Sequence, residues 1–231
     1  MSTMPRPTVT ISGETPHRSR IEELLAGDAM LDFEDCDFSG ADCSRLNLQD
    51  TGFRNCALPD TSFYAANLSR TRWQRCRAGH ADFESADLVD ARFDACDLNN
   101  TSWRRAKLAS SSFRSCKLTG ASFEDVSYLG LSFADCLLIG ADLRRMSFRK
   151  LTLVGLDFAD ADLSGCDFRD AVFEGGGLRE AHIKDTRFEG ADLREADLGG
   201  VKLVNARLFA GATISPRQAA EIVRALGLNV A

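Results

Sequence analysis

A square β-solenoid is the fold this sequence predicts, and three observations predict it. A large apolar residue stands at 34 of 36 fifth positions from Phe33 to Leu208, Cys43 and Ala78 being the exceptions. A small residue usually stands two positions before these centres, Ala fourteen times and Cys seven times in 36 consecutive pentapeptides. Six cysteines, Cys36, Cys56, Cys76, Cys96, Cys116 and Cys136, are spaced by twenty, which is four pentapeptides. An α-helix advances by 100° per residue, so a step of five would scatter the centres around its surface. A strand alternates faces, so the same step would throw successive centres to opposite sides. The chain must therefore turn once per pentapeptide. Nine glycines at the fifth position, Gly40 and Gly120 among them, mark a corner that needs positive φ.

Four sides make a coil, because residues twenty apart match. Phe33, Phe53, Trp73, Phe93, Phe113 and Phe133 form one such column, and Leu48, Leu68, Leu88 and Leu108 another. Residues 31–210 then make nine coils. At about 4.8 Å per rung the rod would be about 43 Å long. Buried centres, at about 1.5–3 kcal/mol each, would supply the core energy.

The two ends follow. Residues 1–30 read as a disordered start, with Pro5, Pro7 and Pro16, followed by a short capping helix. Ser19 and Glu22 would form its capping box ahead of IEELLAG at 21–27. In residues 211–231, Ser215 is a helix N-cap, Pro216 the first helical position and Gln218 the partner in an S-x-x-Q capping box. Gly227 suits the stop. Ala219, Ile222, Val223 and Leu226 line one helix face, and Leu228 and Val230 alternate as in a short strand. Such a tail either covers the last coil, as solenoid ends require, or joins two copies.

Composition narrows the function. The chain has 231 residues, 44% hydrophobic and 27% charged, with net charge −6. An acidic balance argues against direct DNA or RNA binding. No apolar run reaches membrane-spanning length, and the N-terminus has no signal-like apolar stretch, so a cytoplasmic protein with reduced thiols is expected. A column of parallel buried thiols suits neither tetrahedral zinc nor a disulfide, and Cys reads as a small hydrophobe. His17, His80 and His182 are too scattered for a metal site. No nucleophile and base pair or phosphate loop is visible, so no enzyme activity and no cofactor are expected. Ala78 replaces a large centre beside His80 and would mark a dent or a bulge.

Tandem units such as ADLSG (161–165) and ADLRE (191–195) resemble the pentapeptide-repeat family. That resemblance implies an all-β right-handed quadrilateral β-helix over residues 31–210. The tail GATISPRQAAEIVRALGLNVA (211–231) resembles that of the Qnr and MfpA branch. This implies a homodimer through the C-terminal helix, here Ala219, Ile222, Val223, Leu226, Leu228 and Val230. It further implies protection of bacterial type II topoisomerases, DNA gyrase and topoisomerase IV, from inhibitors such as fluoroquinolones, by mimicry of duplex DNA. Qnr proteins carry loops that interrupt the repeat, and this sequence has none. The alternative is a non-enzymatic scaffold for another protein partner.

Charge tests the mimic. About 43 Å of duplex carries about 25 phosphates. The most acidic side, the units that start at residue 36 and every twenty after it, has seven acids against three bases. Its last coils hold Asp157, Asp160, Glu180 and Asp197, the candidate topoisomerase-binding face. Asp or Asn at the second position of a unit also recurs on every side, as a turn residue would.

Overall fold

A chain that turns every fifth residue needs one repeated corner conformation, and the computed structural model shows it. The structure describes residues 7–27, 29–201, 206–225 and 227–230. Between Asp35 and Gly200, the fifth residue of the pentapeptide has φ of +52° to +78° at nine glycines and at 24 other residues. Glu195 is the exception. On three sides of most coils the turn is closed by the next unit's first N–H, as in Ala41 N to Phe38 O (2.8 Å) and Ala161 N to Phe158 O (3.1 Å). A bond from the centre carbonyl across to the next unit, with positive φ at the third turn residue, has the form of a type II turn. Parallel bonds between residues about twenty apart then tie coil to coil, as in Phe38 N to Ala57 O (2.7 Å) and Ala57 N to Cys36 O (2.9 Å).

The chain divides into two compact units, one up to Phe133 and one from Ala134. In the first, strands β1 (Thr8–Ser12), β2 (Met30–Glu34), β3 (Gly52–Arg54), β4 (Arg72–Gln74), β5 (Arg92–Asp94) and β6 (Ser112–Arg114) pair in parallel and in chain order. Helix α1 (Arg18–Leu25) lies between β1 and β2 in sequence and buries Ile21. Two ring columns run through the interior beside buried leucines such as Leu58, Leu68, Leu88 and Leu98. Phe33, Phe53, Trp73, Phe93 and Phe113 stack at 4.1–5.6 Å between centroids. Phe63, Phe83, Trp103 and Phe123 stack beside them at 4.3–5.9 Å. The columns meet edge to face, Trp73 against Phe83 at 81°. Both geometries are the favourable ones for aromatic pairs.

The second strand pair lies in the second unit, β8 (Thr152–Val154) and β9 (Val172–Glu174); β7 (Ser132–Ala134) spans the division. There Phe148, Phe168 and Phe188 form the stack at 4.8–5.1 Å. Helix α2 (Pro216–Ala225) follows a short 3-10 turn at Ala206–Phe209.

The structure corrects three sequence expectations. Residues 8–12 are not disordered: the alternating Thr-Val-Thr-Ile adds a rung that sets Ile11 beside Phe33, and Ile11 is buried. Helix α1 begins one residue after His17, so Ser19 lies inside it and forms no cap; Glu22 takes the Arg18 guanidinium instead, at 2.9 Å. The five-residue register does not run unbroken to residue 210. Phe188 N donates to Leu208 O and Asp192 pairs with Thr213, each one residue beyond the usual offset. That slip puts Phe209, not Leu208, under Phe188, at 4.8 Å. An aromatic ring continues the stack of rings better than an aliphatic centre does.

Ala78 produces no bulge. Ala78 N and His80 N keep their bonds to Asp97 O (2.8 Å) and Asn99 O (2.9 Å). Leu228 and Val230 form no strand; both are exposed.

Candidate partner-binding surfaces

The candidate acidic residues lie on one side of the second unit. Leu137, Asp157, Gly177 and Asp197 form a single column of parallel bridges, so Asp157 and Asp197 are two rungs apart, about 10 Å. Asp160 and Glu180 are corner residues of consecutive coils, with φ of 57° and 52°, and both are exposed. All four thus lie on the same side of the coil. Their roles differ. The Asp157 carboxylate accepts the Ala159 N–H at 3.0 Å, and Asp197 accepts that of Gly199 at 2.9 Å. Asp197 is also clamped by Arg179, 2.5 Å away. The Gly199 N–H above all, then Arg179, holds its carboxyl below the usual carboxylate range. Asp160 and Glu180 have no ion pair within 4 Å among the described residues. These two corner carboxylates are the ones free to meet a partner.

The same turn bond explains most second-position acids. Asp37, Asp42, Asp82, Asp162 and Asp167 each accept the N–H two residues on, at 2.9–3.1 Å. Asn67 does so without a charge, at 3.1 Å to Ser69 N. Polarity at this position therefore serves the corner, whichever side it falls on.

Helix α2 is built as the capping box predicts. The Ser215 hydroxyl accepts Gln218 N at 3.3 Å, and Ser215 N donates to Gln218 Oε1 at 2.6 Å. The sequence did not reveal the second role of Gln218. Its Nε2 donates to Leu193 O and Ala196 O, both at 2.7 Å, and the residue is 1% exposed. One side chain thus caps the helix and bonds it to carbonyls of the coil beneath. Of the expected dimer residues, Ala219, Ile222 and Val223 are half-buried, and Leu228 and Val230 exposed. Leu226 lies outside the described residues.

The eight cysteines are buried free thiols. Burial pushes Cys43 and Cys166 up to about 12. Their placement has a structural cause. Among the described residues, no amide bond closes the corners that follow the strands. There Cys36, Cys56 and Cys76 instead set Sγ 3.4–3.5 Å from the carbonyls of Glu34, Arg54 and Gln74. First-position hydroxyls also bond locally at corners elsewhere, Thr71 Oγ1 to Leu68 O at 2.7 Å. No helix among the described residues is long and apolar enough to cross a membrane.

Comparison with known proteins agrees with this geometry. A family described as pentapeptide repeat region matches residues 31–103 and 46–123, and pentapeptide repeats in eight copies match 136–175 and 178–208. Among solved structures, HetL, a pentapeptide repeat protein involved in heterocyst differentiation regulation from the cyanobacterium Nostoc sp. strain PCC 7120, is similar with a TM-score of 0.63 and 17% identity; the match covers 85% of this chain and 92% of HetL. Full-length QnrB1, a plasmid-mediated fluoroquinolone resistance protein, is similar with a TM-score of 0.52 and 22% identity, over 97% of this chain and 99% of QnrB1. No curated protein matches the chain. Repeat period, coil geometry and these matches lead to one conclusion: the chain belongs to the pentapeptide-repeat family.

Proposed function

We propose that this protein binds a bacterial type II topoisomerase, DNA gyrase or topoisomerase IV, in place of duplex DNA and protects it from inhibitors such as fluoroquinolones. The observation that carries the reading is the similarity to QnrB1 over 97% of this chain and 99% of QnrB1. The acidic side of the second unit supplies the chemistry: Asp160 and Glu180 lie at consecutive corners, one rung or about 5 Å apart, against about 3.4 Å of axial rise per phosphate on a DNA strand. A homodimer through Ile222, Val223, Leu228 and Val230 would bring two such faces together. It would also cover apolar surface left partly exposed on helix α2 and the tail.

The test is gyrase supercoiling with and without a fluoroquinolone, using wild type and Asp160→Lys/Glu180→Lys. Wild type is expected to restore supercoiling in the presence of drug, and the charge reversal to abolish the effect. Unchanged drug sensitivity with micromolar protein refutes the proposal. Light scattering on wild type and Ile222→Asp tests the assembly: a dimer that becomes a monomer is expected, and a wild-type monomer removes it. The second reading, a scaffold for another protein, is favoured by the higher structural similarity to HetL. Recovery of proteins other than gyrase or topoisomerase IV subunits from a bacterial lysate would support it.

A further inference from the structure

The outer face of strands β3–β6 departs from the charge of the rest of the molecule. Its eight outward positions are Gly52, Arg54, Arg72, Gln74, Arg92, Asp94, Ser112 and Arg114, four arginines against one acid in a chain of net charge −6. Arg72 and Arg92 are direct partners on adjacent rungs. Like charges placed opposite each other on a sheet destabilise it, so this pair is not explained by folding.

One carboxylate already shows how the face is used. Gly52 has no side chain where its neighbours in the column do, and any Cβ there would collide with the Asp32 carboxylate, which folds into the space. From that niche Asp32 reaches Arg72, Oδ1 to Nη2, at 3.4 Å, while Glu34 pairs with Arg54 at 3.4 Å. A shallow depression of about 100 Å³ remains over Gly52, lined by Thr10, Asp32, Glu34, Arg54, Arg72 and Gln74. One and two rungs on, Arg92 and Arg114 are exposed and have no ion pair within 4 Å among the described residues.

We infer that this arginine face, centred on Arg72 and Arg92, docks an acidic polypeptide segment of a protein partner. Carboxylates fit guanidinium forks in the manner Asp32 displays internally. The patch spans three rung spacings, about 14 Å, which suits a few clustered carboxylates. It is bordered by Asp32, Glu34 and Asp94, which oppose a long nucleic-acid track. The inference is independent of the topoisomerase reading and involves the other unit of the chain.

The experiment uses the full chain and fluorescence anisotropy at about 50 mM salt, where surface charges are least screened. The probes are a fluorescein-labelled decaglutamate peptide and a labelled single-stranded DNA decamer. Wild type is expected to bind the peptide more tightly than the DNA. The double variant Arg72→Gln/Arg92→Gln should weaken peptide binding about tenfold, the loss expected of two exposed charge pairs. Arg194→Gln, in the other unit, should not. The inference is overturned by any of four results: no peptide binding, tighter binding of the DNA, peptide affinity unchanged by the double variant, or the same loss in Arg194→Gln.

Discussion

Both tryptophans of the interior are preceded, two positions earlier, by a threonine, and the spacing has a cause that can be measured. Thr71 and Trp73 are fully or almost fully buried. The Trp73 Nε1–H donates to Thr71 Oγ1 at 2.9 Å, and the Thr71 hydroxyl donates onward to Leu68 O at 2.7 Å. Thr71→Val keeps the shape and removes the hydroxyl. Leu68 O keeps the Thr71 backbone N–H at 3.2 Å, so the orphan left behind is the indole N–H. An unsatisfied buried donor costs about 1–3 kcal/mol, and the added methyl returns about 0.8 kcal/mol, leaving about 0.2–2 kcal/mol of net destabilisation. Trp73→Phe removes the orphan, and with it the coupling. A double-mutant cycle of Thr71→Val and Trp73→Phe, read by urea unfolding with far-ultraviolet circular dichroism, should show a coupling of about 1 kcal/mol or more. Unfolding of stacked coils need not be two-state, so all four proteins are compared by midpoint and slope together. A coupling under about 0.5 kcal/mol, within the usual additivity error, would refute the argument. Thr101 and Trp103 repeat the arrangement, at 2.8 Å, and Thr101→Val should behave alike.

Three further predictions concern the ends and corners. Gln218→Leu removes the donors to Leu193 O and Ala196 O and the capping-box acceptor, so hydrogen exchange in residues 216–225 should accelerate at least tenfold while the rest of the protein is unchanged; equal protection would show that the apolar face alone holds the helix. At the exposed corner Ala95, where φ is 53°, Ala95→Gly should raise the unfolding midpoint and Ala95→Val lower it, the two differing by at least about 1 kcal/mol; the reverse order would contradict the corner argument. The Asp37 and Asp42 carboxyls are held below their usual range, first by the hydroxyls of Ser39 and Ser44 and next by the N–H groups of the same residues. A depressed folded value means that their contribution is complete above the unfolded value, about 3.9, and is lost as pH falls through the folded one. Asp37→Asn/Asp42→Asn retains the turn acceptors, as Asn67 does, and should flatten the fall of the midpoint between about pH 5 and pH 2; an unchanged slope would remove these two groups from the acid response.

Most of the coil was legible because its determinants are local and repeat. A centre every fifth residue and matching residues every twentieth fix the winding without knowledge of any long-range contact. The failures occur where the repeat stops constraining the chain. Proline suggested disorder at the start, yet Thr8–Ser12 alternates like a strand and needs only the edge of the first coil to pair with. In the last coil, Leu208 satisfies the five-residue pattern as well as any centre does. Only the ring of Phe188 above it favours Phe209, and that preference depends on a partner twenty-one residues away. Gln218 was legible as a cap because its partner is three residues off, and illegible as an anchor because its acceptors are 22 and 25 residues away.

The corners show why glycine was the visible signal and not the governing rule. Left-handed φ costs an L-residue about 1–2 kcal/mol, yet 24 non-glycine residues adopt it here. Most do so where the corner N–H bonds in parallel to the next coil, as Ala95 N to Arg114 O (2.9 Å), so the ladder holds the conformation that the side chain opposes. What the sequence does exclude is more telling: none of the 36 fifth positions is Val, Ile or Thr. β-branched side chains, common at other positions, are those least able to tolerate positive φ. The exclusion marks corners as sharply as glycine does, and it leaves the side chain otherwise free. Fifth positions are therefore where this fold can vary its surface charge at constant backbone. Asp160 and Glu180 on one unit and Arg75 on the other occupy such positions. Asp157 and Asp197 do not, because their carboxylates are engaged in the turn. A partner that reads charge on this scaffold should accordingly be far more sensitive to reversal at Asp160 and Glu180 than to neutralisation at Asp157.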